Sequence, residues 1–260
     1  MSPSRNITGP LTARSVLVSV LLGTDPPRLP TAPLVRTAAL FGISEGTTRT
    51  ALSRLVAAGE AVAEDGGYRL AGRLVARQAR QIASRRADVR PWGGTWELAT
   101  VDGDQRRSAA DRATLRDGLR TSRLVELREG VWGRPDNLEL ERSPEAASVV
   151  DEWCTRWTGA RPDPEPDVQA AFAMAPWSTQ ARDLRAAMRR EQPRLDRGDV
   201  DALAPGFVTS AAVLRHLQAD PLLPAELLPA RWPGTALRDE YDRYDAAYRR
   251  VLRDWFRAET

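Results

Sequence analysis

The chain has 260 residues, 42% of them hydrophobic and 28% charged, with a formal charge of +3, a mixture that suits a soluble globular protein of one to three domains. No apolar run reaches the roughly 18–20 residues of a membrane span, and Met1–Pro10 lacks the apolar core of a secretory leader, so a cytoplasmic protein is expected. One cysteine, Cys154, and one histidine, His216, exclude an internal disulfide framework and a metal site built from several Cys or His ligands.

Thr12 to Leu22 places Val16, Leu17, Val20 and Leu21 at helical spacing and ends at Gly23. A proline-rich connection from Pro26 to Pro33 leads to a second helix with Leu34, Val35, Ala38 and Phe41 inward. Gly42 then turns the chain, Ser44 is placed to cap a third helix, and Gly59 to stop it. At 100° per residue, Thr48, Leu52, Leu55 and Val56 fall on one side of that helix; Thr47, Thr50, Ser53, Arg54 and Ala57 fall on the other, with Arg49 at the edge. A short, polar, cationic face suits a DNA major groove, although an ordinary solvated helix has the same composition.

Ala61–Glu64 and Tyr68–Leu70, joined through Asp65-Gly66-Gly67, read as a β-hairpin. Three helices followed by a hairpin is the winged helix-turn-helix plan, with Arg69 on the wing. Charge agrees with it. Residues 1–90 hold 13 arginines against 6 acidic residues, a net of +7, whereas residues 91–260 hold 25 against 29. From Ala71 to Arg90, Leu74, Val75, Gln78 and Ile82 alternate with Arg73, Arg77, Arg80, Arg85 and Arg86, as in a linker helix with a basic outer side; phosphate contact and simple solvation both fit.

The tryptophans divide the chain at the same point, all eight lying at or beyond Trp92. Trp96–Val101 reads as an interior strand, Ala109–Arg120 as a helix, Arg123–Leu127 and Gly130–Arg134 (with Leu138–Leu140) as a hairpin, Ser143-Pro144-Glu145 as the start of a helix carrying Val149, Val150, Trp153 and Trp157, and Asp167–Ala175 as a last strand. That order, strand-helix-strand-strand-helix-strand, is ferredoxin-like. Helical periodicity returns over Trp177–Arg190, Val200–Ala219 and Leu237–Ala258. The expected fold class is therefore α+β: residues 1–70 a winged helix-turn-helix, 71–90 a basic linker helix, 91–175 a ferredoxin-like domain suited to dimerisation, and 176–260 a helical domain.

No glycine-rich phosphate loop is present, and no catalytic or metal residues, and no cofactor, are assigned.

Arg49-Thr50-Ala51-Leu52-Ser53-Arg54-Leu55, Trp92-Gly93-Gly94-Thr95-Trp96, Gly130-Val131-Trp132-Gly133-Arg134-Pro135, and above all Asp220-Pro221-Leu222-Leu223-Pro224-Ala225-Glu226-Leu227-Leu228-Pro229 with Trp232 and Gly234 resemble the PaaX family of repressors of phenylacetic acid degradation. The resemblance runs through the whole chain in family order. It implies a homodimeric, non-enzymatic repressor that binds double-stranded operator DNA and is released by phenylacetyl-CoA or a related acyl-CoA. The segment around Ala175-Pro176-Trp177 departs from the acidic Trp-Asp-Leu pattern of the family.

For DNA, the expected contacts are Ser44, Thr47, Thr48, Arg49, Thr50, Ser53 and Arg54, with Arg69 of the wing. For an acyl-CoA effector, which needs cations for phosphate and an apolar pocket for the acyl group, Trp177, Arg182, Arg185, Arg215, His216, Arg231 and Trp232 offer suitable residue types, although each taken singly is better explained as a surface or packing residue. Two alternatives remain. One is a DNA-binding regulator without an effector. The other follows from a resemblance of the middle domain to the small ferredoxin-like CRISPR-associated nucleases, in which Asp102, at the end of the first strand, would hold Mg²⁺ across a dimer; an aspartate there is also an ordinary turn residue.

Overall fold

The computed structural model describes residues 11–103, 108–139 and 144–258. Met1–Pro10, Leu140 and Ser143, which carry expectations above, lie outside them. Three helices open the fold: α1 (Ala13–Leu22), α2 (Thr31–Ala39) and α3 (Glu45–Ala57). Thr12 caps α1, its side chain accepting from the Ser15 amide at 3.1 Å. Between α1 and α2, within the expected proline-rich connection, Arg28–Pro30 forms a strand, β1. It pairs antiparallel with β3 (Gly67–Leu70), which pairs in turn with β2 (Ala61–Glu64), giving the order β1-β3-β2. The sequence reading missed β1 because prolines flank it; an edge position tolerates them, since its outer N–H groups have no partner to lose. Gly67 is what lets β1 approach, for a Cβ there would stand 2.4 Å from the Leu29 carbonyl oxygen. Leu17, Leu21, Leu34, Leu52, Leu55 and Leu70 close the core over this sheet. Val56, expected inward, is 37% exposed at the last turn of α3.

Helix α4 (Arg73–Arg86) follows, and then a second set of strands: β4 (Trp96–Val101), α5 (Ala109–Thr121), β5 (Val125–Arg128), β6 (Val131–Pro135), α6 (Pro144–Trp153) and β7 (Cys154–Ala160). All neighbours in the sheet β5-β6-β4-β7 are antiparallel. Along β4, Ala99 and Val101 join a core with Leu115, Leu119, Trp132 and Val150, while Trp96 and Leu98 face another containing Val168, Met174 and Leu223. Gly133 permits the central pairing: a Cβ there would meet Leu98 Cδ2 at 2.6 Å.

The last strand is not where periodicity put it. It runs over Cys154–Ala160, immediately after α6, whereas Asp167 caps a short helix, α7 (Val168–Ala171), by accepting from the Ala170 amide at 3.1 Å. Trp153 and Trp157, four apart, mimic one helix face, but the β-branched and aromatic run Thr155-Arg156-Trp157-Thr158 pairs with β4 and leaves Trp157 53% exposed. The Leu138 extension of the β6 hairpin is also replaced, by a bridge from Val89 to Leu138.

The rest is helical: α8 (Met174–Asp196), a 3-10 turn at Val200–Ala202, α9 (Leu203–Gln218) and α10 (Gly234–Arg257). The chain forms two compact units. One gathers the described residues up to 85 with 180–218 and 233–258; the other gathers residues from 86 to 179 with 219–232. Within the first, Arg36 of α2 donates to the Trp255 and Phe256 carbonyls at 2.9 and 3.1 Å and lies 4.5 Å over the Trp255 ring, so a guanidinium covers the unpaired carbonyl end of α10. Phe41 packs on Phe207 of α9 at 5.1 Å, and Arg85 of α4 pairs with Asp242 and Asp245 of α10 at 2.7 and 2.9 Å. The N-terminal helices and the C-terminal helices thus share one packed body.

Within the second unit, Arg134 is 1% exposed and has no carboxylate partner among the described residues; its guanidinium donates to Asn137 Oδ1 at 2.9 Å and to the Pro135 and Leu222 carbonyls at 3.1 and 3.0 Å. Asn137 donates to the same Leu222 carbonyl at 3.0 Å, and Arg123 donates to Asp220 O. Desolvation, then the nearby Arg123, hold the pKa of Arg134 well below the usual arginine range. These contacts join two motifs singled out in the sequence, Gly130–Pro135 and the segment from Asp220.

Candidate nucleic-acid interface

Helix α3 is built to expose a polar side. Ser44 caps it, its Oγ accepting from the Thr47 amide at 3.3 Å and lying 2.9 Å from Thr47 Oγ1. Leu52 and Leu55 anchor the inner face. Thr48, expected among the DNA contacts, is a correction: it is 0% exposed and its hydroxyl donates to the Ser44 carbonyl at 3.0 Å, so it braces the helix start from beneath. Thr47, Arg49, Thr50, Ser53 and Arg54 are all exposed. Thr50 and Ser53 return their hydroxyl protons to the Gly46 and Arg49 carbonyls at 2.9 and 3.1 Å, which leaves their oxygen lone pairs outward. Arg49 pairs with Glu45 at 2.7 Å, both more than half exposed, a contact weak enough to exchange for another anion. Arg54 has no ion-pair partner among the described residues.

The small sheet of this module adds two further arginines. Arg69 on β3 pairs with Glu64 at 2.6 Å and stands opposite Arg28 of β1 in the sheet register. Arg28 lies in a proline-flanked segment with no strand periodicity, so its only sequence signal is a basic residue beside Leu29 in a gap long enough for an edge strand.

Helix α3, the hairpin and α4 meet at Glu60. This carboxylate is 4% exposed and accepts from Arg14 of α1 at 2.5 Å and from Arg73 Nε at 2.9 Å. Hydrogen bonds from Arg73 and Arg14 hold its pKa below the ordinary glutamate value of 4.5. A depressed carboxylate pKa stabilises the fold above the unfolded-state pKa, and that contribution is lost as pH falls through the folded-state value. Glu60→Gln is expected to cost about 1–2 kcal/mol at neutral pH, allowing for the exposure of both arginines, and the gap to the parent protein should shrink in urea titrations run below pH 4.5. An equal gap at every pH refutes the electrostatic role.

The effector-type residues divide between the two units. In one, Trp177 stacks on Trp232 at 4.4 Å with Arg231 exposed beside it in sequence. In the other, Arg185 pairs with Glu240 at 2.7 Å, His216 is buried on α9, and Arg182 and Arg215 are exposed. None of the seven lines the cavity of about 450 Å³ between α8 and α10, whose walls include Met188, Arg189, Gln192, Glu240, Arg243 and Arg250. Asp102 follows β4, and its carboxylate accepts from the Thr155 hydroxyl at 3.0 Å. Among the described residues no group of three or more His, Cys, Asp or Glu is placed to hold a metal ion, and no helix is long and apolar enough to cross a membrane.

Curated proteins offer no significant match to this sequence. Among solved structures, the chain is similar to one described as uncharacterized protein Rv0674 from Mycobacterium tuberculosis, at 40% identity and a TM-score of 0.71, over 94% of this chain and 98% of that one. Residues 12–74 match the model of the PaaX-like protein family, and residues 173–258 match that of the PaaX-like protein C-terminal domain. With the α1-to-β3 module under the first match and the α8-to-α10 helices under the second, the chain belongs to the PaaX-like family, a family of transcriptional regulators.

Proposed function

We propose that the protein is a homodimeric repressor that binds double-stranded operator DNA through α3 and is released by an aryl-acyl-CoA such as phenylacetyl-CoA. In this reading residues 1–70 are a winged helix-turn-helix, 71–90 a linker helix, 91–175 a ferredoxin-like domain that holds the dimer, and 176–260 the effector domain. The observation that carries it is the solvent side of α3, where Thr47, Arg49, Thr50, Ser53 and Arg54 stand exposed with a β-hairpin in the same module. Arginine reaches guanine edges or phosphate, hydroxyls accept or donate to either, and small neighbours let the helix seat in the groove. Ser44, Arg69 and Arg28 supply flanking contacts. Two such helices related by a two-fold axis read an inverted repeat.

Support for an effector domain is chemical. The α8–α10 cavity is lined by Arg189, Arg243 and Arg250 beside the apolar Met188, with Arg189 paired to Glu240 and Arg250 to Asp196, so a phosphate would have to displace these carboxylates, and the Trp177–Trp232 stack and Arg231 in the other unit remain alternatives. Because Arg36 seats α2 on the end of α10, a ligand that shifts α10 has a mechanical route to the helices that present α3. Linkage then requires DNA to weaken ligand binding by the same factor that ligand weakens DNA binding. A thermal-shift series with phenylacetyl-CoA, free CoA and phenylacetate tests this: the thioester should raise the unfolding midpoint by several degrees, as about 3–4 kcal/mol of ligand stabilisation does at several hundred times Kd. A flat response to every acyl-CoA leaves a regulator without an effector.

A further inference from the structure

Away from α3, another group of arginines lies on and around α4 in the same unit. Along α4, Arg73, Arg77 and Arg80 recur at i, i+4 and i+7, all exposed, on a helix that contains no acidic residue. Arg14 of α1 joins Arg73 at Glu60. On the other flank Gln218 of α9 donates to Gln81 of α4 at 3.4 Å, which sets the last turn of α9, with Arg215, against the same helix. Five guanidiniums from three helices thus lie along this surface, and the carboxylate of Glu60 has both oxygens already engaged by Arg14 and Arg73. Arg77 has no ion-pair partner among the described residues; partial desolvation and then the charges of Arg215, Arg14 and Arg80 hold its pKa below the ordinary arginine value. Like charges crowded in this way destabilise the fold, and a solvated linker helix has no need of them.

The position of this surface is informative. The Ala71 amide donates to the Glu60 carbonyl at 2.9 Å, and a Cβ on Gly72 would stand 2.6 Å from the Gly59 carbonyl oxygen. Helix α4 therefore starts where α3 ends, beside Gly59 and Glu60. At 1.5 Å per residue the Arg73–Arg80 row extends about 10 Å, a length that a single small anion does not span and a duplex with a phosphate charge every ~1.7 Å of axis does. Resting on the DNA-binding reading above, we propose that Arg14, Arg77, Arg80 and Arg215 form a phosphate track, which grips the DNA backbone beyond the bases read by α3 and supplies sequence-independent affinity.

The test uses the full chain, a fluorescein-labelled duplex of random sequence and a sodium chloride series. Arg77→Gln with Arg80→Gln should weaken binding about 10-fold and make the slope of log K against log salt shallower by about 2, one for each lost phosphate contact. Its thermal midpoint should equal or exceed that of the parent, because repulsion is relieved. The Arg77→Lys, Arg80→Lys variant keeps the charge and should restore the slope. Unchanged affinity and slope overturn the track, as does a Gln variant that melts several degrees lower, which marks these arginines as packing residues. If the parent binds no duplex at all while Arg54→Ala is equally inert, the DNA-binding reading itself falls.

Discussion

An Arg54→Ala variant is expected to bind its operator about 10 to 100 times more weakly than the parent, the effect of losing one bidentate base contact of roughly 1–3 kcal/mol. Arg54 is exposed in the last turn of α3 with no acidic partner among the described residues, so its removal leaves the helix intact and takes away only what the side chain offers to a ligand. Arg49→Ala should cost less in affinity, since Arg49 must first leave Glu45. The two positions also differ in kind. A base-reading Arg54 discriminates operator from random duplex, so its loss compresses the specificity ratio, whereas an arginine that touches only phosphate lowers both affinities together. Fluorescence anisotropy on the two duplexes separates these cases, and equal losses on both would remove Arg54 from the base-reading face.

Arg134→Ala should be the most destabilising single substitution in the central unit, by about 3–5 kcal/mol. The loss is larger than that of a truncated surface arginine for two reasons. The guanidinium is buried, so its removal opens a void in the second unit; and it leaves the Leu222 and Pro135 carbonyls and Asn137 Oδ1 with fewer donors where water does not readily reach. Arg134→Lys should recover only part of this, because one ammonium on a flexible stem does not reproduce a planar fork spread over several acceptors. Tryptophan fluorescence in a urea titration is the natural readout. Trp92, Trp96, Trp132, Trp153, Trp157, Trp177 and Trp232 all belong to this unit, and only Trp255 reports on the other. A midpoint unchanged in the alanine variant rules out the clamp.

Local chemistry carried most of the secondary structure. The Ser44 cap, the turn at Gly42 and the Asp65-Gly66-Gly67 hairpin are short-range features, and each is found where its residue types predict it. The inner leucines of α3 and the outward Thr47, Thr50, Ser53 and Arg54 follow from a 100° period that any amphipathic helix obeys. Failures occurred where a long-range partner outweighed local pattern: β1 exists because β3 lies beside it, and Cys154–Ala160 is extended because β4 has a free edge, although Trp153 and Trp157 alone suggest a continuing helix. Thr48 went both ways, since a hydroxyl on an inner face looks like a contact until the Ser44 carbonyl is seen to receive it.

What periodicity, capping and charge distribution established without any fold was the class α+β, the α3 face and the basic character of residues 1–90, because these depend on neighbours within a turn or two of chain. Which distant residues meet depends on packing instead. The union of the N-terminal helices with α9 and α10 through Arg36 and Phe41, the burial of Arg134 against Leu222, and the gathering of Arg14, Arg77, Arg80 and Arg215 around α4 join elements across separations from 63 residues (Arg14 to Arg77) to 220 (Arg36 to Phe256). No local period encodes a separation of that size; it is selected by which apolar faces can be buried together, and the charges are carried to their places by that burial.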